Sequence, residues 1–144
     1  MRSKAPLALM EQMIMVLVFA LAAALCLRAF VLSDSMSMDN ARRDNAVLLA
    51  QNAAEVYKAC RGDADEAAAI LGGEVTLDIW SSFYGEDLNA VDDPEVAVYM
   101  VRVLSRETDV TGMGSAEVAV FLADGEESLF ELSVAWQKEE LHGK

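Results

Sequence analysis

The sequence predicts an α+β protein, in which a long N-terminal helix packs on an antiparallel β-meander of three or four strands. Half of that helix lies in a membrane and the other half is amphipathic. Three observations carry this prediction. Residues 6–32 hold only three side chains that are not apolar, small or proline, namely Glu11, Gln12 and Arg28. From Asp39 to Arg61 apolar residues recur at steps of three and four, the signature of a helix with one buried face. After Gly73 the period changes to two, with turn residues between the runs. The chain divides accordingly into a basic leader (1–6), a transmembrane helix (7–32) and its amphipathic continuation (33–61). A short helix and loop (62–73), an antiparallel sheet (74–137) and a charged tail (138–144) follow.

The transmembrane assignment rests on length and on the absence of a polar face. Met13 to Leu27 is unbroken apolar sequence. Those residues span about 22 Å of helix, so the flanks 6–10 and 29–32 are needed to cross a hydrocarbon core of about 30 Å. Arg28 lies near one edge and can reach the headgroups along its aliphatic stem. Glu11 lies near the other edge, where a carboxylate is expensive unless paired or close to water. Arg2, Lys4 and the terminal amine favour a cytoplasmic N-terminus and an extracellular C-terminal domain, against a weaker opposing bias from Arg42 and Arg43. Other assignments of this segment meet specific obstacles. A cleaved secretory signal rarely carries a glutamate before its apolar run. A lipoprotein signal ending at Cys26 has Leu25 where a small residue is expected. A core helix of a soluble protein keeps a polar face, which this run lacks.

The continuation carries Ala46, Leu49, Ala50, Ala53, Val56, Tyr57 and Cys60 on one face. Arg42, Arg43, Asp44, Gln51, Glu55 and Lys58 fill the other. No proline or glycine interrupts residues 7–61, and Gly62 is the expected stop. Asp63 and Glu66 have the spacing of a capping box at the start of the short helix, which Gly72-Gly73 end. Strands are expected over Val75–Trp80, Val96–Ser105, Glu117–Ala123 and Leu129–Gln137. Turns are expected at Gly85-Glu86-Asp87, Asp92-Asp93-Pro94, Thr111–Gly114 and Asp124-Gly125. The run Val96–Ser105 is apolar enough on both sides to be buried on much of both faces.

The net charge of the chain is −13, and residues beyond Leu32 hold 23 acidic against 8 basic side chains. That excess excludes a nucleic-acid surface, which needs clustered Lys and Arg, and tight adhesion to anionic lipid. It fits solubility and mutual repulsion, or recruitment of a basic partner or a cation. If helix runs between them, Cys26 and Cys60 stand roughly 50 Å apart, far beyond disulfide reach. Cys26 fits a lipid-packing residue, and Cys60 fits either a free thiol or a buried small apolar residue.

Catalytic chemistry finds no footing in the sequence. The single histidine, His142, lies in the tail, where nothing fixes a general base. No CxxC, HExxH or metal-spaced Cys/His set occurs, and neither Gly72-Gly73 nor Gly112-Met113-Gly114 is followed by a phosphate-binding helix. Trp80, Tyr84, Tyr99 and Trp136 fit a core or a sheet face. No catalytic, cofactor-binding or metal-ligating residue is expected.

A basic leader over Met1–Lys4 precedes a glutamate near the start of an apolar run, and the helix continues into an amphipathic half containing Leu48-Leu49-Ala50-Gln51-Asn52-Ala53-Ala54-Glu55. In these features residues 1–60 resemble the type IV pilins and the pseudopilins of type II secretion, and the sheet resembles theirs in outline. The resemblance implies a non-catalytic, membrane-anchored subunit of a cell-envelope filament or secretion assembly. Its partners are membrane lipid and other pilin-like or envelope-assembly subunits. It implies leader cleavage between Pro6 and Leu7, which makes Glu11 the fifth residue of the mature chain. It also implies that Glu11 pairs with the free amine of a neighbouring subunit. The family has glycine, or sometimes alanine, before the cut, whereas this chain has Ala5-Pro6. The alternative is an uncleaved single-pass envelope protein whose acidic domain binds a partner.

Overall fold

The structure is a computed structural model that describes residues 5–138. Leader residues 1–4 and most of the charged tail, His142 included, lie outside the described residues. Helix α1 runs from Ala5 to Ala59. It begins two residues before the expected start, because Pro6 falls in its first turn, where a fixed φ and a missing N–H cost nothing. The chain forms two units, Met1–Asn40 and Ala41–Lys144.

The first unit is α1 up to Asn40, and all its residues from Pro6 on are exposed. The second unit begins with the amphipathic part of α1. Ala46, Leu49, Ala50, Ala53, Tyr57 and Cys60 are buried as their spacing predicts, Ala54 joins them, and Val56 is partly buried. The six polar residues of the opposite face are exposed. The helix ends in a Schellman arrangement. The Gly62 N–H donates to the Tyr57 carbonyl at 2.9 Å and the Arg61 N–H to the Lys58 carbonyl at 3.1 Å. Arg61 takes the left-handed position at φ 56°, and Gly62 follows at φ 87°.

Helix α2 spans Ala64–Leu71. Half of the expected capping box is present, with the Glu66 N–H donating to Asp63 Oδ1 at 3.0 Å. The reciprocal half is replaced, since the Asp63 N–H donates to the Cys60 carbonyl. Past its end, the Gly72 carbonyl accepts a hydrogen bond from Trp80 Nε1 at 2.9 Å. Gly73, at φ 98°, lies so close to the sheet that a Cβ would stand 2.2 Å from the Ser81 carbonyl oxygen.

The antiparallel sheet has six strands rather than three or four: β1 (Glu74–Thr76), β2 (Ile79–Tyr84), β3 (Ala90–Val91), β4 (Tyr99–Arg106), β5 (Met113–Leu122) and β6 (Ser128–Gln137). Their order is β1-β2-β4-β5-β6, with β3 also paired to β2. The extra strands have local causes. The run expected as one strand from Val75 folds back at Leu77-Asp78, both in the left-handed region at φ 51° and 64°. Val75 thereby pairs with Trp80. Beyond Gly85–Asn89 the chain turns back, and Ala90-Val91 pair with Tyr84-Phe83. Val96 and Ala97, expected in a strand, instead close turns, with their N–H groups donating to the Asp93 and Pro94 carbonyls, and Val98 bonds to Tyr84 and Ala123 just before β4 begins.

One sheet face supplies the core with Trp80, Tyr84, Tyr99, Val101, Val103, Ala116, Val118, Val120 and Trp136. The other face of β4 is not buried as expected, because Met100 and Leu104 are only partly covered and Arg102 is exposed. Arg102 instead lies over the Phe121 ring, 5.2 Å from its centroid. At one end of the core the Trp136 indole meets Tyr57 edge-on, with ring centroids 5.5 Å apart. It fills the space that side chains at Gly62 and Gly114 would need, for a Cβ would stand 2.2 Å from the indole at Gly62 and 2.5 Å at Gly114. Met113 pairs with Gln137 and Gly114 with Trp136, so both belong to β5 rather than to the loop expected over Thr111–Gly114.

A Gly114→Ala substitution isolates this packing, because Gly114 does not have a left-handed φ. It should destabilise the chain by about 2 kcal/mol through overpacking. Gly112→Ala, at φ 80° in open space, should cost only about 1 kcal/mol of backbone strain. Urea unfolding followed by tryptophan fluorescence in detergent micelles checks the ranking, and equal effects would remove the role assigned to the indole contact.

Candidate functional site: the apolar segment of the first helix

Sixteen large apolar side chains from Leu7 to Leu32 are each 58–77% exposed. Soluble monomers rarely leave contiguous apolar patches above a few hundred Å². α1 is the one helix among the described residues that is long and apolar enough to cross a membrane. The local reason is compositional. Leucine, methionine, alanine and phenylalanine hold the helix without presenting a polar face, so its backbone groups bond to one another and its side chains suit an apolar solvent.

Glu11 stands near the start of this segment and is exposed, as are Gln12 and Arg28. No Lys or Arg lies within four residues of Glu11 on either side, so its own helix offers no cationic partner at the spacings where side chains meet. Pro6 and Leu7 lie in the first turns of α1, with Leu7 73% exposed. The Pro6–Leu7 bond is therefore helical. The structure places Pro6, Leu7 and Glu11 on one helix and brings none of them to a second element.

The domain from Ala41 holds a different feature, an open polar recess of about 740 Å³. Tyr57, Asp65, Asp78, Ser105, Glu107, Asp109 and Lys138 are among its lining residues. They come from segments far apart in sequence, and no linear spacing announced them. Arg106, also at its wall, is committed to Glu117 in a two-nitrogen pair at 2.8 and 3.0 Å. Burial raises the Tyr57 phenol above its ordinary value, against a hydrogen bond shared with Ser105. Among the described residues no group of His, Cys, Asp and Glu could hold a metal ion. Two buried side-chain polar atoms among the described residues lack a hydrogen-bond partner, Ser82 Oγ and Trp136 Nε1, and neither residue lines the recess.

No family model, characterised protein or solved structure matches the chain.

Both cysteines are free, Cys26 exposed and Cys60 buried. Burial raises the Cys60 thiol, with Glu66 and Asp63 adding to it. The thiolate is the reactive form, so Cys60 is an inert packing residue. In a Cys26→Ser background, maleimide should label Cys60 at least about a hundredfold more slowly in the folded chain than in urea. Cys60 and Tyr57 both hold their protons more tightly when folded. Their contribution to stability is complete below the ordinary thiol and phenol values and is lost as pH rises through the raised folded ones. The urea midpoint should therefore fall above about pH 9, and a midpoint that rises there would contradict this assignment.

Proposed function

We propose that the chain is a membrane-anchored structural subunit, pilin-like or pseudopilin-like, without catalytic activity of its own. Residues 7–32 cross the cell membrane, the N-terminus is cytoplasmic, and the acidic domain is extracellular. The observation that carries this reading is Glu11, an acid without a cationic neighbour on a segment otherwise suited to lipid. A carboxylate in that setting is costly, and a cation from another chain offsets the cost when helices leave lipid and bundle. Cleavage after Pro6 would supply such a cation as the Leu7 amine of a neighbouring copy. One Glu11–amine pair per contact would neutralise both charges and set axial register, because a buried charge that slips from its partner is penalised by several kcal/mol.

A second reading is favoured by one observation, the helical Pro6–Leu7 bond. Cleavage sites concentrate in exposed irregular segments. An uncleaved chain has no amine beside Glu11, and it would act as a single-pass envelope protein whose acidic domain binds its partner.

Mass spectrometry of the membrane-extracted protein separates the two. A mature mass beginning at Leu7 is expected on the first reading, and an intact leader selects the second. Glu11→Gln keeps the shape and removes the charge. It should leave membrane extraction unchanged and lower assembly at least about tenfold, read as disulfide crosslinking between copies through Cys26. Undiminished crosslinking in the variant would overturn the register role.

A further inference from the structure

The two edges of the sheet are built differently. On one side β2 is covered in part by three-residue β1 and in part by two-residue β3, so no long row of free backbone groups is presented there. On the other side stands β6, ten residues long, without proline or lysine and with Glu131 as its only charge. Its backbone polarity follows from one bond. The Lys138 N–H donates to the Gly112 carbonyl at 2.7 Å, and antiparallel alternation then turns Trp136, Val134, Leu132 and Phe130 toward β5. Glu131, Ser133, Ala135 and Gln137 direct their N–H and C=O groups away from the sheet, and all four are exposed. The register shifts by one residue between Val120 and Phe121, at the start of β6. Phe130–Gln137 is therefore the regular stretch. On the core side of this stretch Phe130, Leu132 and Val134 are only partly buried, so the core runs out to the edge with its cover incomplete.

We propose that the β6 edge is a strand-addition site for an extended segment of a cationic polypeptide. A strand laid along Phe130–Gln137 satisfies the outward backbone groups, and apolar residues at alternate positions extend the cover over Phe130, Leu132 and Val134. The charge of the partner follows from the surroundings. Asp124, Glu126 and Glu127 precede the strand, Glu131 lies in it, and the chain beyond Leu32 carries 23 acids against 8 bases. A second copy brings the same acids to the same edge and meets like charge, whereas lysines or arginines on an incoming strand meet Glu131 and the acids before β6. The site lies wholly within the domain from Ala41 and does not depend on how α1 assembles.

The probe is an acetylated, amidated peptide of alternating Lys and Val with one central Thr, added to the full chain in detergent micelles. Backbone amide exchange is followed by NMR. At low salt the amides of Glu131, Ser133 and Ala135 should exchange at least about tenfold more slowly with peptide. Raising ionic strength to about 0.5 M should weaken that protection. The peptide with Glu for Lys, or with Pro for the central Thr, should protect neither β6 nor any other strand. Ser133→Pro in the protein removes an outward N–H without touching a β5 bond and should abolish protection. Ala135→Lys, which guards the edge without altering the backbone, should weaken it if the proline variant fails to fold. Absent protection at β6 with the Lys peptide, or equal protection by the Glu peptide, overturns the proposal. Protection that appears without peptide and grows with protein concentration assigns the edge to a second copy and also overturns it.

Discussion

The amphipathic half of α1 meets the sheet through Ala46, Ala50, Ala53 and Ala54, which present no more than a methyl group to the core and are each at most 4% exposed. The core positions of the middle strands β4 and β5 include the valines Val101, Val103, Val118 and Val120, all buried. The bulk of the core comes from aromatic residues. Trp80, Tyr84 and Tyr99 fill one set of gaps, and Tyr57 with Trp136 fills another. Two of these aromatics also carry polar ties, from Trp80 Nε1 to the Gly72 carbonyl and from Asn45 Nδ2 to the Tyr99 hydroxyl at 3.2 Å. Gly62 and Gly114 stand against the Trp136 indole, and Gly73 stands against the Ser81 carbonyl and the Trp80 indole, where a Cβ would clash.

The helix that supplies this contact changes character along its length without a break in its backbone. Up to Leu32 it has no polar face, and from Ala46 it has a buried face and a charged one. Between them Ser33, Asp34, Ser35, Asp39 and Asn40 are polar and Met36 and Met38 are exposed. Burial of a face against the sheet stabilises one half. The other half has an apolar perimeter instead, and any removal of it from water would contribute about 25 cal/mol per Å². Neither half is a good model for the other, and a variant that is tolerated in one has no bearing on its counterpart.

The helical part of this arrangement was legible because its signal is periodic. Seven residues from Ala46 to Cys60 at steps of three and four define a face whatever that face meets, and six of the seven are buried. The sheet was legible where strands are long and end at Gly or Asp, as at Asp124-Gly125. It failed at Leu77-Asp78, because a leucine at φ 51° and 90% exposure is a turn residue that no propensity anticipates. It failed at Gly114, because a glycine in a strand reads as a loop until the indole opposite it is known. The roles proposed for Pro6, Leu7 and Glu11 rest on a pattern along one helix, where all three are exposed. The polar recess and the free edge of β6 had no linear signature, for both depend on which strands end up last in the sheet.

The acidity of the domain acquires a second meaning beside that edge. Long, regular edge strands invite association, and natural sheets commonly blunt them with lysine, proline or a bulge placed in the middle. β6 has its register shift only at one end and carries a single charge. Identical copies nevertheless repel one another through the acids they all share, and this repulsion acts at a range of about 8–10 Å in physiological salt. A protection that works through net charge rather than through the strand itself is selective. On this proposal it disfavours the pairing of one acidic edge with another and leaves the edge open to a cationic strand. An edge guarded locally by lysine or proline would refuse both alike.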